Sequence, residues 1–170
     1  MIAEILARDG LAQAEAIAKG DTTPAELLDA AIARTEAVNP ALNFIAQPMF
    51  DRARAAAAQS FSGPFAGVPF VVKDLHMAIP GERMGEGSRL WNDVRADYTS
   101  TLYRRYVAAG LNTFAKTTTP EFGLTVTTES TATGLTRNPW NLSHSAGRSS
   151  GGRSLCRRRR GRRAAAGPGV

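Results

Sequence analysis

Cysteine is nearly absent. Cys156 is the only one in 170 residues, so no disulfide can form within the chain, and a reducing compartment is expected. Histidine occurs only at His76 and His144, whose spacing matches neither a metal-ligand set nor a Ser-His-Asp triad; both read as structural. The chain has no Walker loop, no CxxC pairs and no dinucleotide fingerprint, and no metal or cofactor is expected. No run approaches the ~20 apolar residues of a membrane span. The first 20 residues carry acids early and lack the basic start and continuous apolar centre of a secretory signal. A soluble, cytoplasmic protein without a membrane partner is therefore expected. Lysine is scarce as well: Lys19, Lys73 and Lys116 stand against 18 arginines.

What is abundant is positive charge, with 21 Lys+Arg against 15 Asp+Glu, a net +6 and a pI near 10.2. Such a balance raises the possibility of a nucleic-acid partner. Its location answers that. Seven arginines and no acid lie in residues 153–170, whereas residues 1–152 hold 14 basic groups against all 15 acids. The body is nearly neutral, and the basicity belongs to a tail expected to be disordered. Seven charges can hold phosphates in a salt-sensitive way. The tail has no aromatic residue for base stacking and no recognition motif, so nothing beyond non-specific contact with nucleic acid is expected. With 43% hydrophobic and 21% charged residues, the remainder is a globular sequence long enough for a core.

Periodicity divides the body into helices and strands. Ile2, Ile5, Leu6, Leu11 and Ala14 predict one amphipathic helix ending near Gly20. Thr23, Pro24 and Glu26 form a helix-start signal with a capping box. Leu27, Leu28, Ala31 and Ile32 then make its buried stripe, and Asn39-Pro40 is expected to stop it. A short strand over 42–46 and an Ala-rich helix over 48–59 follow. The apolar run Gly67-Val68-Pro69-Phe70-Val71-Val72 predicts a buried strand. Residues 77–97 read as a long ordered loop, 100–109 as a helix closed by Gly110, and 111–116 as another strand. From Thr125 to Gly152 no periodicity is evident. The alternation predicts an α/β architecture.

Two places could carry chemistry. Lys73 ends the apolar run, where burial would favour its neutral amine and make it a base, although a strand-end lysine at the surface has the same signature. Its rarity adds weight, since an arginine cannot lose its proton. Gly147-Arg148-Ser149-Ser150-Gly151-Gly152 sets a serine pair among glycines, a backbone able to position a hydroxyl or an oxyanion. Flexible linkers share that composition.

Taken together, four segments are more specific. Gly67-Val68-Pro69-Phe70-Val71-Val72-Lys73-Asp74-Leu75 resembles the lysine strand of the amidase signature family. Ala115-Lys116-Thr117-Thr118-Thr119-Pro120-Glu121-Phe122-Gly123 and Gly134-Leu135-Thr136-Arg137-Asn138-Pro139-Trp140-Asn141 resemble its next two motifs. The Ser/Gly-rich signature follows at the right distance. Gly85-Glu86-Gly87-Ser88 and the N-terminal helices are most similar to the branch containing 6-aminohexanoate cyclic dimer hydrolase. The resemblance covers about residues 3–152, the N-terminal third of a typical member.

The resemblance implies the N-terminal part of the amidase signature fold, helices around a central mixed β-sheet, acting on a small-molecule amide through a Ser, cis-Ser, Lys triad. By resemblance Lys73 is the ultimate base and Ser149 the bridging serine. Ser150, Gly151 and Gly152 support the loop. The alternative within the family is the amidotransferase subunit used in glutaminyl-tRNA formation. Linear, cyclic and aryl amides all stay open as substrates.

The family's nucleophilic serine lies roughly two dozen residues beyond the bridging one, past Val170. Arg148 stands where the family has glycine, and the Ala/Val/Gly helix expected next is replaced from Arg153 onward. A shifted reading frame across GC-rich codons produces such arginine runs. The expectation is therefore a frameshift or sequencing error after about Gly152, leaving residues 1–152 as a partial, inactive amidase domain. The two other frames of the DNA test it.

Overall fold

In the computed structural model, residues 1–147 and residue 150 are described. Asp9-Gly10 breaks the first predicted helix into α1 (Ile2–Leu6) and α2 (Gly10–Ala18). Asp9 caps α2 by accepting a hydrogen bond from the Ala12 N–H at 2.9 Å. The buried Gln13 turns back and donates to the Leu6 and Arg8 carbonyls at the end of α1. One side chain thus satisfies carbonyls that a continuous helix would have satisfied itself.

The start signal at Thr23 opens α3 (Pro24–Leu42) with both halves of the capping box. Thr23 Oγ1 accepts from the Glu26 N–H at 3.2 Å, and Glu26 Oε2 accepts from the Thr23 N–H at 2.9 Å. Thr23→Ala should cost about 1 kcal/mol, read as a shift in the urea midpoint with an unchanged slope. The predicted stripe Leu27, Leu28, Ala31 and Ile32 is buried throughout.

Pro40 does not stop the helix, which runs on to Leu42. Asn39 explains this: its Oδ1 accepts from the Phe44 and Ile45 N–H groups at 2.8 and 3.0 Å, anchoring the exit. The stop is Asn43, left-handed at φ 50°, the conformation that ends helices with glycine or asparagine. The next strand accordingly starts three residues later than expected.

A three-stranded mixed sheet forms the centre. Its strands are β1 (Ile45–Pro48), β2 (Pro69–Lys73) and β3 (Asn112–Thr117), in the order β1-β3-β2. β3 runs antiparallel to β1 and parallel to β2. Between β1 and β2 lies α4 (Phe50–Ala57), and α5 (Thr101–Ala108) precedes β3. Leu28, Ala31 and Ile32 of α3 and Ala53 of α4 pack with Val71, Phe114 and Ala115. A second cluster joins Val72 to Met49, Met77, Ile79 and Tyr103. Successive residues of β2 therefore enter different clusters, as strand alternation requires.

The loop between β2 and α5 is ordered, as predicted, and folds back on itself. Its Gly81 and Met84 N–H groups donate to the Ala96 and Val94 carbonyls at 2.8 Å. Beyond β3 a 3-10 turn (Glu121–Gly123) leads into two small hairpins. These pair β4 (Glu129–Ser130) with β5 (Gly134–Leu135), and β6 (Arg137–Asn138) with β7 (Asn141–Ser145). The sequence shows no periodicity here because three of the four strands are two residues long. Tertiary hydrogen bonds hold them instead: Asn43 Nδ2 donates to the Thr133 and Leu135 carbonyls at 2.7 and 3.2 Å.

Candidate active site

Lys73 is the last residue of β2, and Thr117, the last of β3, is its partner in the parallel register. One step earlier Val72 pairs with Lys116. Residues paired across strands share a face and neighbours alternate, so the two lysines stand on opposite faces of the sheet. Lys73 is half-buried. The Thr117 hydroxyl beside it is buried and makes no hydrogen bond among the described residues.

Sequence pattern does not single out Lys116 as a site residue, yet it is the most fully buried cation of the described chain, with 0% of its surface exposed. Its Nζ donates to the carbonyls of Met77 and Arg83 and lies 3.5 Å from Asp74 Oδ1. Asp74, next to Lys73 in the chain, is also enclosed and continues the ladder by donating its N–H to the Thr117 carbonyl at 3.0 Å. Gly85 lies so close that a Cβ there would meet Asp74 Oδ2 at 2.5 Å. The signal that could have found Lys116 is the scarcity argument applied to Lys73, which holds for all three lysines.

Burial acts on both charges. It pushes the Asp74 carboxyl above the usual aspartate range, a shift the Lys116 ammonium and Arg83 oppose and Glu86 reinforces. It pushes the Lys116 amine below the usual lysine range, against Asp74, Glu82 and Glu86. The folded chain thus keeps the Asp74 proton to higher pH than the unfolded chain, whose value is about 3.9. More protons are then bound when folded than when unfolded, and this contribution to stability falls as pH rises from about 4 through the folded value. In urea unfolding between pH 4 and 7, the wild type should lose stability relative to Asp74→Asn as pH rises. A flat or rising difference would show that burial does not dominate at Asp74.

The loop after Lys73 is braced by a cluster of unusual backbone. His76, Glu86 and Phe122 have φ of 53°, 51° and 49°, three of the four left-handed non-glycine residues among those described. They meet: the His76 N–H donates to Glu86 Oε1 at 2.7 Å, and the Phe122 N–H donates to the Glu86 carbonyl at 2.8 Å. Ser88 Oγ donates to Glu121 Oε1 at 2.6 Å, tying this loop to the 3-10 turn. Gly87 is required there, since a Cβ would sit 2.6 Å from the Thr119 carbonyl oxygen. Strain of this kind persists only where the surroundings over-determine it, and it concentrates at functional sites. His76, expected to be structural, has an exposed ring whose Nδ1 is 3.5 Å from the buried Glu86 carboxylate. His144, on exposed β7, has its Nδ1 3.1 Å from Ser143 Oγ.

Of the other predicted site residues, Ser150 is a half-buried turn residue. Ser149, Gly151 and Gly152, with Arg148 and the arginine-rich tail, lie outside the described residues. Among the described residues no group of three or more His, Cys, Asp or Glu could hold a metal ion, and no helix is long and apolar enough to cross a membrane.

The profile of the Amidase family matches residues 26–155. The chain belongs to the amidase family. It is 44% identical over 147 residues to the 6-aminohexanoate-cyclic-dimer hydrolase of Paenarthrobacter ureafaciens, covering 85% of this chain and 30% of that one. It is 40% identical to a glutamyl-tRNA(Gln) amidotransferase subunit of Deinococcus deserti, again over 85% of this chain and 30% of the relative. Among solved structures, 6-aminohexanoate cyclic dimer hydrolase with its substrate superposes with a TM-score of 0.83, over 87% of this chain and 31% of that one. A bacterial aryl acylamidase superposes at 0.81 with 30% identity, over 88% of this chain and 33% of that one. This amidase chain therefore spans about 30% of the length of the curated relatives it matches, and its α/β fold with a mixed sheet corresponds to part of theirs.

Proposed function

We propose that residues 1–152 supply the lysine-bearing part of an amide hydrolase that works by a Ser/cis-Ser/Lys relay. In this reading the neutral Lys73 amine accepts a proton from the Ser149 hydroxyl. Ser149 in turn takes one from a nucleophilic serine attacking the amide carbonyl. The proton returns by the same path to the leaving amine, and water repeats the sequence to release the acid. Ser150, Gly151 and Gly152 shape the loop around the bridging hydroxyl. The observation that carries the reading is Lys73 itself: a half-buried lysine ending the strand of a mixed sheet, within a fold that superposes on amide hydrolases.

The nucleophile is expected past Val170, so residues 1–170 alone should give no turnover. The substrate class to test first is a cyclic amide dimer, because a relative at 44% identity is named for one. The experiment replaces the matching segment of the Paenarthrobacter hydrolase with residues 1–152 of this chain and measures amine release from 6-aminohexanoate cyclic dimer. Hydrolysis by the graft, with none by residues 1–170, is the expected result. A folded graft inactive on cyclic, linear and aryl amides alike would overturn it.

A further inference from the structure

We propose that Lys116 is a positioning residue for Lys73: from the opposite face of the sheet, its ammonium neutralises the Asp74 carboxylate that follows Lys73 and pins the loop leaving the strand. The inference rests on the reading of Lys73 as a base.

A base must be able to lose its proton, and a buried carboxylate on the adjacent residue works against that by favouring the ammonium form. Asp74 is such a carboxylate, 3% exposed. Its nearest opposite charge is Lys116, 3.5 Å away and without exposed surface. The remaining charged groups around the pair come from the loop. Arg83 gives its guanidinium to the Ala46 carbonyl and Asn92. Glu82 is bonded by Gln47 and lies 3.6 Å from Arg52. Glu86 is held by the His76 N–H. These three carry net −1, so removing Lys116 leaves Asp74 uncompensated. The placement is also rigid, because the Met77 and Arg83 carbonyls fix the ammonium from the other side. The register keeps it off the face that Lys73 occupies, so it can set the charge next to Lys73 without entering the site.

The three lysines make this measurable in the full 170-residue chain. With 13Cε-labelled lysine, NMR titration gives three signals, and Lys19, exposed and paired with Glu15 at 2.6 Å, serves as the internal reference. Lys116→Met should raise the Lys73 midpoint by about one pH unit, the size of an uncompensated charge acting from the opposite face through the low-dielectric thickness of the sheet. Asp74→Asn should lower it by a similar amount, and the double variant should return it to within a few tenths of a unit of the wild type. Where Lys116→Met alone does not fold, Asp74→Asn and the double variant, both free of the uncompensated carboxylate, decide the matter. An identical Lys73 midpoint in every folded variant overturns the proposal and leaves Lys116 a packing residue. The base reading fails differently: Lys73 would titrate near the ordinary value of about 10.4 in the wild type, whether or not it responds to Lys116.

Discussion

Lys116→Met is expected to cost about 3–5 kcal/mol, the range for breaking a buried ion pair from one side, and so a large part of the ~5–15 kcal/mol that holds a typical domain together. The magnitude comes from what is left behind rather than from the lost attraction. Asp74 is left in a site closed to water, with Gly85 packed against its second oxygen, where its carboxyl must either carry an uncompensated charge or take up a proton. The Met77 and Arg83 carbonyls lose their shared donor. Methionine fills similar volume, so the experiment separates charge and hydrogen bonding from packing. Lys116→Arg should also destabilise, because a planar fork of five donors does not fit a space shaped for one ammonium. Lys19→Met is the control: its pair with Glu15 lies in solvent, with both side chains more than 60% exposed, and no measurable change is expected. Urea unfolding followed by circular dichroism reads all three. A Lys116→Met midpoint indistinguishable from wild type would mean that the pair contributes nothing and that water reaches Asp74.

The contrast between Lys73 and Lys116 shows which parts of such a site are legible from sequence. Lys73 ends an apolar run, a local pattern, and the strand, its end and its lysine are all readable there. The same holds for Thr23 and Glu26, whose capping box is complete within four residues, and for the stripe from Leu27 to Ile32. Lys116 also sits on a predicted strand, but its burial depends on the parallel register that sets it beside Val72 and on a loop whose carbonyls, 33 and 39 residues away in sequence, close over it. Nothing within a window around Lys116 encodes that loop. The two departures from the predicted helices have the same origin. Gln13 reaching back to Leu6 and Asn39 reaching forward to Phe44 are side-chain bonds to backbone that override a period or a proline. The residues that bend the loop into place, His76, Glu86 and Phe122, are not glycines, so no turn signal marks their left-handed backbone.

In the graft onto the Paenarthrobacter hydrolase, Lys73→Arg is expected to lower kcat about 10²–10⁴-fold, the usual contribution of a general base. Arginine is the informative replacement. It keeps the positive charge, and the chain otherwise uses it 18 times against three lysines, yet a guanidinium is never deprotonated at accessible pH and cannot accept the proton of the bridging serine. If Lys73 serves only as a cation, binding a carbonyl or a carboxylate, the arginine variant should retain much of the activity and the deficit should appear in KM. If it serves as a base, the loss falls on kcat, with KM little changed, and Lys73→Ala is no worse than Lys73→Arg. The pH profile divides the two cases again. A base gives kcat/KM an acid limb at the pH where the free enzyme's Lys73 loses its proton, and that limb should move upward when Lys116→Met leaves Asp74 uncompensated. A binding cation has its limb on the alkaline side, where its charge is lost. A Lys73→Arg graft that keeps wild-type kcat would remove Lys73 from the relay, and with it the chemical role proposed for this part of the chain.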